Sequence, residues 1–310
     1  MLVQPHTILS RVFLTQDQSR LRAGWRILIA VFLTGLFFNV VDWVRSALSL
    51  SGPTSLLIGR CIDLVVVTSA IYLTRRFVDR RTFTSLGFSL NRNAGVDVLT
   101  GILIAFVLMG VIYLIELSMG WLHFESFAWQ TEEPSMVISQ TLRYFLVYLL
   151  VAWNEELIYR GYILQSLVSG LNLRWGILLS SVYFGLEHLS NPNSTGMAVA
   201  GIFILALLFV YAYLRTGQLW LPIGMHLGWN FFQSSVFGFP VSGFDRLGLF
   251  HITVSGPGLW TGGAFGPEAG LVVLPVCLLG AVLIHWFTKQ RKNASDQKYG
   301  VAVRADTETT

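Results

Sequence analysis

The stretch NEELIYRG, residues 154–161, sets two carboxylates and a guanidinium inside an apolar run. RYFLVYLLVAW (143–153) precedes it and YILQSLVSG (162–170) follows. Water hydrates such charges, but hydrocarbon does not. An ionisable group at the centre of a bilayer costs about 3 kcal/mol or more. Glu156 and Arg160 stand four apart with the acid first, the favoured order for a helical pair. That pairing neutralises Glu156. Glu155 points about 100° away around the same helix, and the sequence gives it no local partner. The stretch reads as a membrane helix with one structural ion pair and one uncommitted carboxylate.

The rest of the chain agrees with a membrane setting. Of its 310 residues, 54% are hydrophobic and 12% charged, and the mean hydropathy is +0.61. Soluble domains carry about 25% charged residues, so a polytopic membrane protein is expected. Cys61 and Cys277 lie far apart in apolar runs and predict neither a disulfide framework nor a thiolate metal site. No cleavable signal peptide is read at the start. The net charge of +4 is better read as topology than as a nucleic-acid footprint.

A spanning helix needs about 20 mostly apolar residues. Eight stretches qualify: 25–46, 54–74, 98–121, 136–168, 174–190, 195–214, 218–238 and 269–288. The expected fold is all-α, a polytopic bundle of about eight transmembrane helices. Basic residues concentrate in cytoplasmic loops. Arg11, Arg20, Arg22, Arg26, Arg75, Arg76, Arg80, Arg81, Arg92, Arg174, Arg215, Lys289, Arg291, Lys292, Lys298 and Arg304 all fall on one side if there are eight spans. Glu125, Glu132, Glu133, Asp245, Arg246 and Glu268 fall on the other. Both termini are therefore expected in the cytoplasm. The organisation expected is a tail and three spans over 1–135, a four-helix core over 136–238, a Gly/Pro-rich outer loop and last span over 239–288, and a disordered polar tail over 289–310. The outer loop either covers the outer mouth, dips into the protein, or is a flexible connector.

Most polar residues in the spans have a structural explanation. Arg60 and Asp63 stand three apart on one span. Asp42 and Arg45 lie near a membrane edge. Glu116 and Arg143 both approach the outer side and are expected to pair. Three places differ. Glu155 lacks a partner, FGLEH puts Phe184 and His188 on one helix face, and HLGWN puts His226 and Asn230 on one face at the same spacing. Measured from the basic ends of their spans, Glu155, His188, Asn230 and His226 lie roughly 20, 21, 18 and 12 Å deep. Four polar side chains on three helices at comparable depth predict a site.

A carboxylate of raised basicity deprotonates water, and burial raises a Glu toward that range. An imidazole can hold the same water, and Asn or a ring N–H can donate to an oxyanion. No G-x-S-x-G is present and neither cysteine lies beside a histidine, so no nucleophile is read. Glu155, His188 and His226 also make a conceivable zinc set, two His and one carboxylate with an open position for water. H-E-x-x-H is absent, and Asn is an uncommon zinc ligand.

The ordered triple Glu155-Glu156-x-x-x-Arg160, Phe184-x-x-x-His188 and His226-x-x-x-Asn230, with RGYILQ after the first and LPIGMHLGWNFF around the third, resembles the CPBP family, the Abi or type II CAAX prenyl endopeptidases. The resemblance covers about residues 138–236. It implies an eight-helix intramembrane protease in which Glu155 activates water with help from His188. His226 and Asn230 would form the oxyanion hole, and Glu156, Arg160 and Phe184 would support them. It leaves open a metal-free or a zinc-dependent course, the first being favoured.

The function expected is hydrolysis of a peptide bond in a membrane-embedded or lipid-anchored substrate, near the cytoplasmic half of the bilayer. Prenylated CAAX-like tails are one candidate substrate class. The lipid bilayer is the expected environment, a bacterial plasma membrane the expected location, and nucleic acid is not an expected partner. Two other readings stay open. A non-enzymatic scaffold or bacteriocin-immunity protein would use the four polar residues as a hydrogen-bonded core. A transporter would use them as a proton relay, although the paired broken helices that mark many transporters are not read.

Overall fold

The computed structural model describes residues 12–15, 20–48 and 55–289. The expected disordered tail, Lys289 apart, and the basic residues Arg11, Arg291, Lys292, Lys298 and Arg304 lie outside them. The chain is almost entirely helical. Helix α1 spans Ala23–Ala47, α2 Leu56–Val78, α3 Arg92–Ser118 and α4 Pro134–Gly170. Then come α5 Leu173–Glu187, α6 Gly196–Thr216, α7 Trp220–Asn230 and α8 Val273–Thr288. Among the described residues five helices, α1 to α4 and α6, are long and apolar enough to cross a membrane. The protein is thus a polytopic helical membrane protein. The expected fifth, seventh and eighth spans correspond to the shorter helices α5, α7 and α8.

Local signals set the ends. Pro134 opens α4, where a missing N–H costs nothing. Asn172 and Thr195 accept from backbone amides and cap α5 and α6. Gly217 takes φ 62° and stops α6. Helix α5 has only 15 residues, about 22 Å of axis. It stops short of the expected residue 190 because Asn191-Pro192-Asn193 cannot continue it. Three helices loosen into π turns: α2 over Thr74–Val78, α4 over Leu157–Leu164, and the continuation of α7 over Phe231–Val236.

Helix α7 is the hub, with every residue from Leu221 to Asn230 buried. It lies backbone-to-backbone against α3. A Cβ added at Gly101 would stand 2.5 Å from the Leu221 carbonyl oxygen, and one at Gly228 would stand 2.8 Å from Ala105 Cβ. One at Gly224 would overlap the Val98 carbonyl. Small residues four apart permit this approach, the usual device for joining helices where lipid supplies no hydrophobic drive. Ile104, Leu108, Met109, Ile112, Met225 and Trp229 form the core around the seam.

The bundle has two unlike ends. At the basic end, Asp79 binds Arg26 at 3.1 Å and Arg75 at 3.2 Å, all three side chains buried. Arg75 also donates to Ser85 and to Gln165 Oε1, and Tyr162 Oη donates to the Arg26 carbonyl. Every element that meets there is tied to another. At the opposite, loop end, strands β1 (Leu122–Phe127) and β2 (Phe250–Val254) pair antiparallel with a bulge between Phe124 and Ser126. This pair is the exception to the all-helical pattern. Of the readings of the 239–268 loop, dipping into protein is the one observed: Phe239, Val241, Phe265 and Glu268 are buried.

Two pairings were expected elsewhere. Arg60 and Asp63 do pair, at 2.9 Å. Glu116 and Arg143 do not. Both Glu116 carboxylate oxygens are buried without a hydrogen-bond partner, while the Arg143 guanidinium lies by the Tyr144 ring, 5.9 Å from its centroid. The two residues sit on neighbouring spans, but their helix faces do not meet.

Candidate active site

Glu155, His188, His226 and Asn230 line a single cavity of about 490 Å³. They come from α4, the turn after α5, and α7. Glu156, Arg160 and Phe184 stand behind it and do not line it. In two of the three helices the α form gives way to π at the site residues, after Glu156 and after Asn230. Such segments are rare and favour functional sites.

The layer behind the cavity is held by an ion pair and ring contacts. Arg160 Nη1 donates to Glu156 Oε1 at 2.9 Å, the expected pair, with both side chains buried. The guanidinium also lies over the Phe184 ring at 4.3 Å and the Phe209 ring at 5.2 Å. Cation–π contacts of this kind strengthen when dry. Phe209 in turn stacks on His226, with centroids 5.2 Å apart and planes 19° apart.

The same Glu156 Oε1 lies 2.8 Å from His226 Nδ1. A carboxylate already paired with Arg160 can only accept, so His226 Nδ1 carries the proton. That fixes the ring and leaves Nε2 facing Glu155, with Nε2 3.7 Å from Glu155 Oε2. This amends the sequence expectation. In the neutral ring Nε2 is an acceptor, so donation to an oxyanion from His226 requires the imidazolium.

His188 follows the same logic. Its Nδ1 lies 2.8 Å from the Phe184 carbonyl oxygen. A carbonyl only accepts, so Nδ1 donates and Nε2 keeps a lone pair. His188 is not inside a span as expected. It sits one residue past α5, at the start of a single 3₁₀ turn. Glu155 is half-buried, its side chain 29% exposed into the cavity, and its Oε2 accepts no hydrogen bond. Asn230 is buried on the same α7 face as His226, one turn on.

Sequence reasoning missed several lining residues: Asn154, Tyr159, Asn191, Ser242, Phe244 and Arg246. Asn191 Nδ2 donates to the Ser242 carbonyl at 3.0 Å, joining the two loops of the rim. Glu268 holds that rim to α7. It accepts from the Ser242 amide at 2.6 Å, from Ser242 Oγ at 3.1 Å and from Trp229 Nε1 at 3.1 Å. Burial pushes the Glu268 carboxyl above the ordinary carboxylate range, opposed by the Ser242 amide. Arg246 lies by the Tyr144 and Phe244 rings, 5.6 and 5.3 Å from their centroids. Its Nη1 donates to the Asp245 carbonyl oxygen at 3.3 Å. No local sequence pattern marks these contacts, because each joins segments far apart in the chain.

Glu155, His188 and His226 are the conceivable zinc set. Among the described residues no three His, Cys, Asp or Glu side chains gather into a group able to hold a metal ion. Each histidine has its Nδ1 engaged by protein and its Nε2 lone pair free, an arrangement that serves a water-binding imidazole and a zinc-binding one alike.

The comparisons agree with the motifs. The family model described as type II CAAX prenyl endopeptidase Rce1-like matches residues 137–232. This stretch of the chain is similar to that family, and it holds all four cavity-lining candidates. No match is found among curated proteins or solved structures.

Proposed function

We propose that the chain is an intramembrane endopeptidase that hydrolyses a peptide bond of a membrane-embedded or lipid-anchored polypeptide without a metal. One observation carries the reading: the uncommitted carboxylate of Glu155 shares one cavity with two histidines whose Nδ1 atoms are engaged and whose Nε2 atoms are not.

Water held between Glu155 and His188 Nε2 attacks the carbonyl carbon, and Glu155 takes its proton. The carbonyl oxygen gains the negative charge and accepts from Asn230 Nδ2–H, joined by His226 Nε2–H when the ring is doubly protonated. Collapse of the intermediate breaks the C–N bond, and the proton held by Glu155 passes to the leaving amine. Oriented donors in a site shielded from bulk water are worth about 3 kcal/mol each to such a step. Glu156 does no proton transfer. It holds His226 in one tautomer and balances Arg160.

The test is purified protein and Glu155→Gln incubated with prenylated and unprenylated membrane-segment peptides, with and without chelator, read by mass spectrometry. Cleavage by wild type alone, surviving chelator, is the expected result. Loss in chelator with recovery in zinc overturns the metal-free course. A cellular phenotype that needs this protein and tolerates Glu155→Gln overturns the protease reading in favour of a scaffold.

A further inference from the structure

The cavity is closed at one end of the bundle and open at the other. On α4 its lining runs from Tyr144 to Tyr159 and stops at Arg160. Elsewhere it draws on Phe38, level with the site, and on Leu56, Arg60, Asn191, Ser242, Phe244 and Arg246 on the loop side of it. No lining residue comes from the turns between α2 and α3, α4 and α5, or α6 and α7. Below Glu155 the way is blocked first by the buried Glu156–Arg160 pair and then by the Arg26–Asp79–Arg75 cluster. Above it, the exposed residues Phe244 and Asp245 sit at the rim.

The closed end is the basic one. Arg76, Arg80, Arg92, Arg174 and Lys289 are exposed there, and Glu125, Glu133 and Asp245 are exposed at the open end. Excess Lys and Arg marks the cytoplasmic side. From Gly170, the basic end of α4, Glu155 lies 15 residues up the helix, about 22 Å. That is past the middle of a hydrocarbon core of about 30 Å.

We infer that the cavity is entered from the non-cytoplasmic side, and that its substrate is a polypeptide segment presented at that face of the membrane. The inference rests on the protease reading for the word substrate, but its geometry does not. It replaces the sequence expectation of a cut in the cytoplasmic half. It also excludes a prenylated tail that stays in the cytoplasm, since such a tail meets the closed end. The chemistry that suits the mouth is an exported or outward-facing membrane segment, entering past Arg246 or between α2 and α4.

The experiment uses the full chain with Cys61→Ala, so that the exposed native thiol is gone. Single cysteines are placed at the mouth (Asp245→Cys and, separately, Phe244→Cys) and at the closed end (Thr84→Cys). Sealed right-side-out and inverted membrane vesicles are treated with a membrane-impermeant maleimide. The expected result is at least tenfold faster labelling of the mouth positions in right-side-out vesicles, and the reverse for Thr84→Cys. Mouth labelling confined to inverted vesicles overturns the proposal. Labelling reads sidedness whether or not the chain cleaves anything, so failure of the protease reading does not disguise the answer. A peptide cleaved by purified protein is then added to both vesicle types. Cleavage only in right-side-out vesicles is expected, and cleavage only in inverted ones overturns the inference.

Discussion

Two charged clusters lie within this bundle, and they are built on opposite terms. At the basic end, Asp79 is shared by Arg26 and Arg75, and serine, glutamine and tyrosine take up further donors and acceptors. At the site, Glu156 Oε1 is committed to both Arg160 and His226, whereas Glu156 Oε2 and the neighbouring Glu155 Oε2 have no hydrogen-bond partner. Asn154 Oδ1 is likewise buried without a partner. A cluster that only holds helices together pairs its acceptors: both Asp79 oxygens are bonded, and among its three charged side chains Arg26 Nε alone lacks a partner. A cluster meant to act on something else must leave some of them open, since an unmade hydrogen bond in a dry interior is costly. The difference teaches where to look for chemistry in a membrane bundle: beside a closed ion pair, at the group left out of it.

That contrast can be broken by exchanging the consequences of mutation between the two clusters. The largest effect is expected on activity at the site. Glu155→Gln keeps size and removes the base, and should lower kcat by about 10³-fold with an unchanged thermal midpoint. A matching fall in stability would mean that Glu155 is structural after all. At the basic end the order reverses. Asp79→Asn leaves two buried guanidinium groups facing a neutral amide and should cost about 3–5 kcal/mol, read as lost folded protein in detergent. Surviving enzyme should keep its kcat. A third change bears on the seam that brings α7 to the site. Gly224→Ala pushes a methyl into the Val98 carbonyl and should cost about 1–3 kcal/mol, lowering kcat as well because His226 and Asn230 ride on that helix. The smallest effect belongs to the rim. Arg246→Ala removes a half-buried cation at the cavity rim worth about 1 kcal/mol, and should raise KM roughly fivefold while kcat holds. If kcat falls instead, Arg246 reaches the reacting atoms and the site extends farther outward than the four motif residues.

The sequence made some of this legible for a definite reason. A spacing of four reports neighbours on one helix face, so Glu156–Arg160, Phe184–His188 and His226–Asn230 could be read without a structure. Hydropathy located the helices to within a few residues, since apolar runs of that length have few alternatives. What spacing cannot report is which faces meet. The bond from Glu156 to His226 joins residues 70 apart in the chain, and it is this bond that fixes the His226 tautomer and amends its role. Glu116 and Arg143 failed to pair for the same reason. The part played by Glu268 was illegible because its three donors come from Ser242 and Trp229, on separate segments. The early end of α5 was readable in part from Asn191-Pro192-Asn193, but hydropathy alone carried the span through it.

The π segment of α4, Leu157–Leu164, works like a slipped tooth in a gear. A π turn holds one residue more than an α turn, so it delays the rotation of everything that follows. Upstream, Glu155 faces the cavity; downstream, Gln165 must face Arg75 and Tyr213 at the closed end. If the segment kept all its residues and relaxed to plain α-helix, the two halves would be out of phase by about 100°. Either the carboxylate or the anchor would point into the wrong neighbour. The extra residue therefore sets the timing between the working half of this helix and the half that is bolted down.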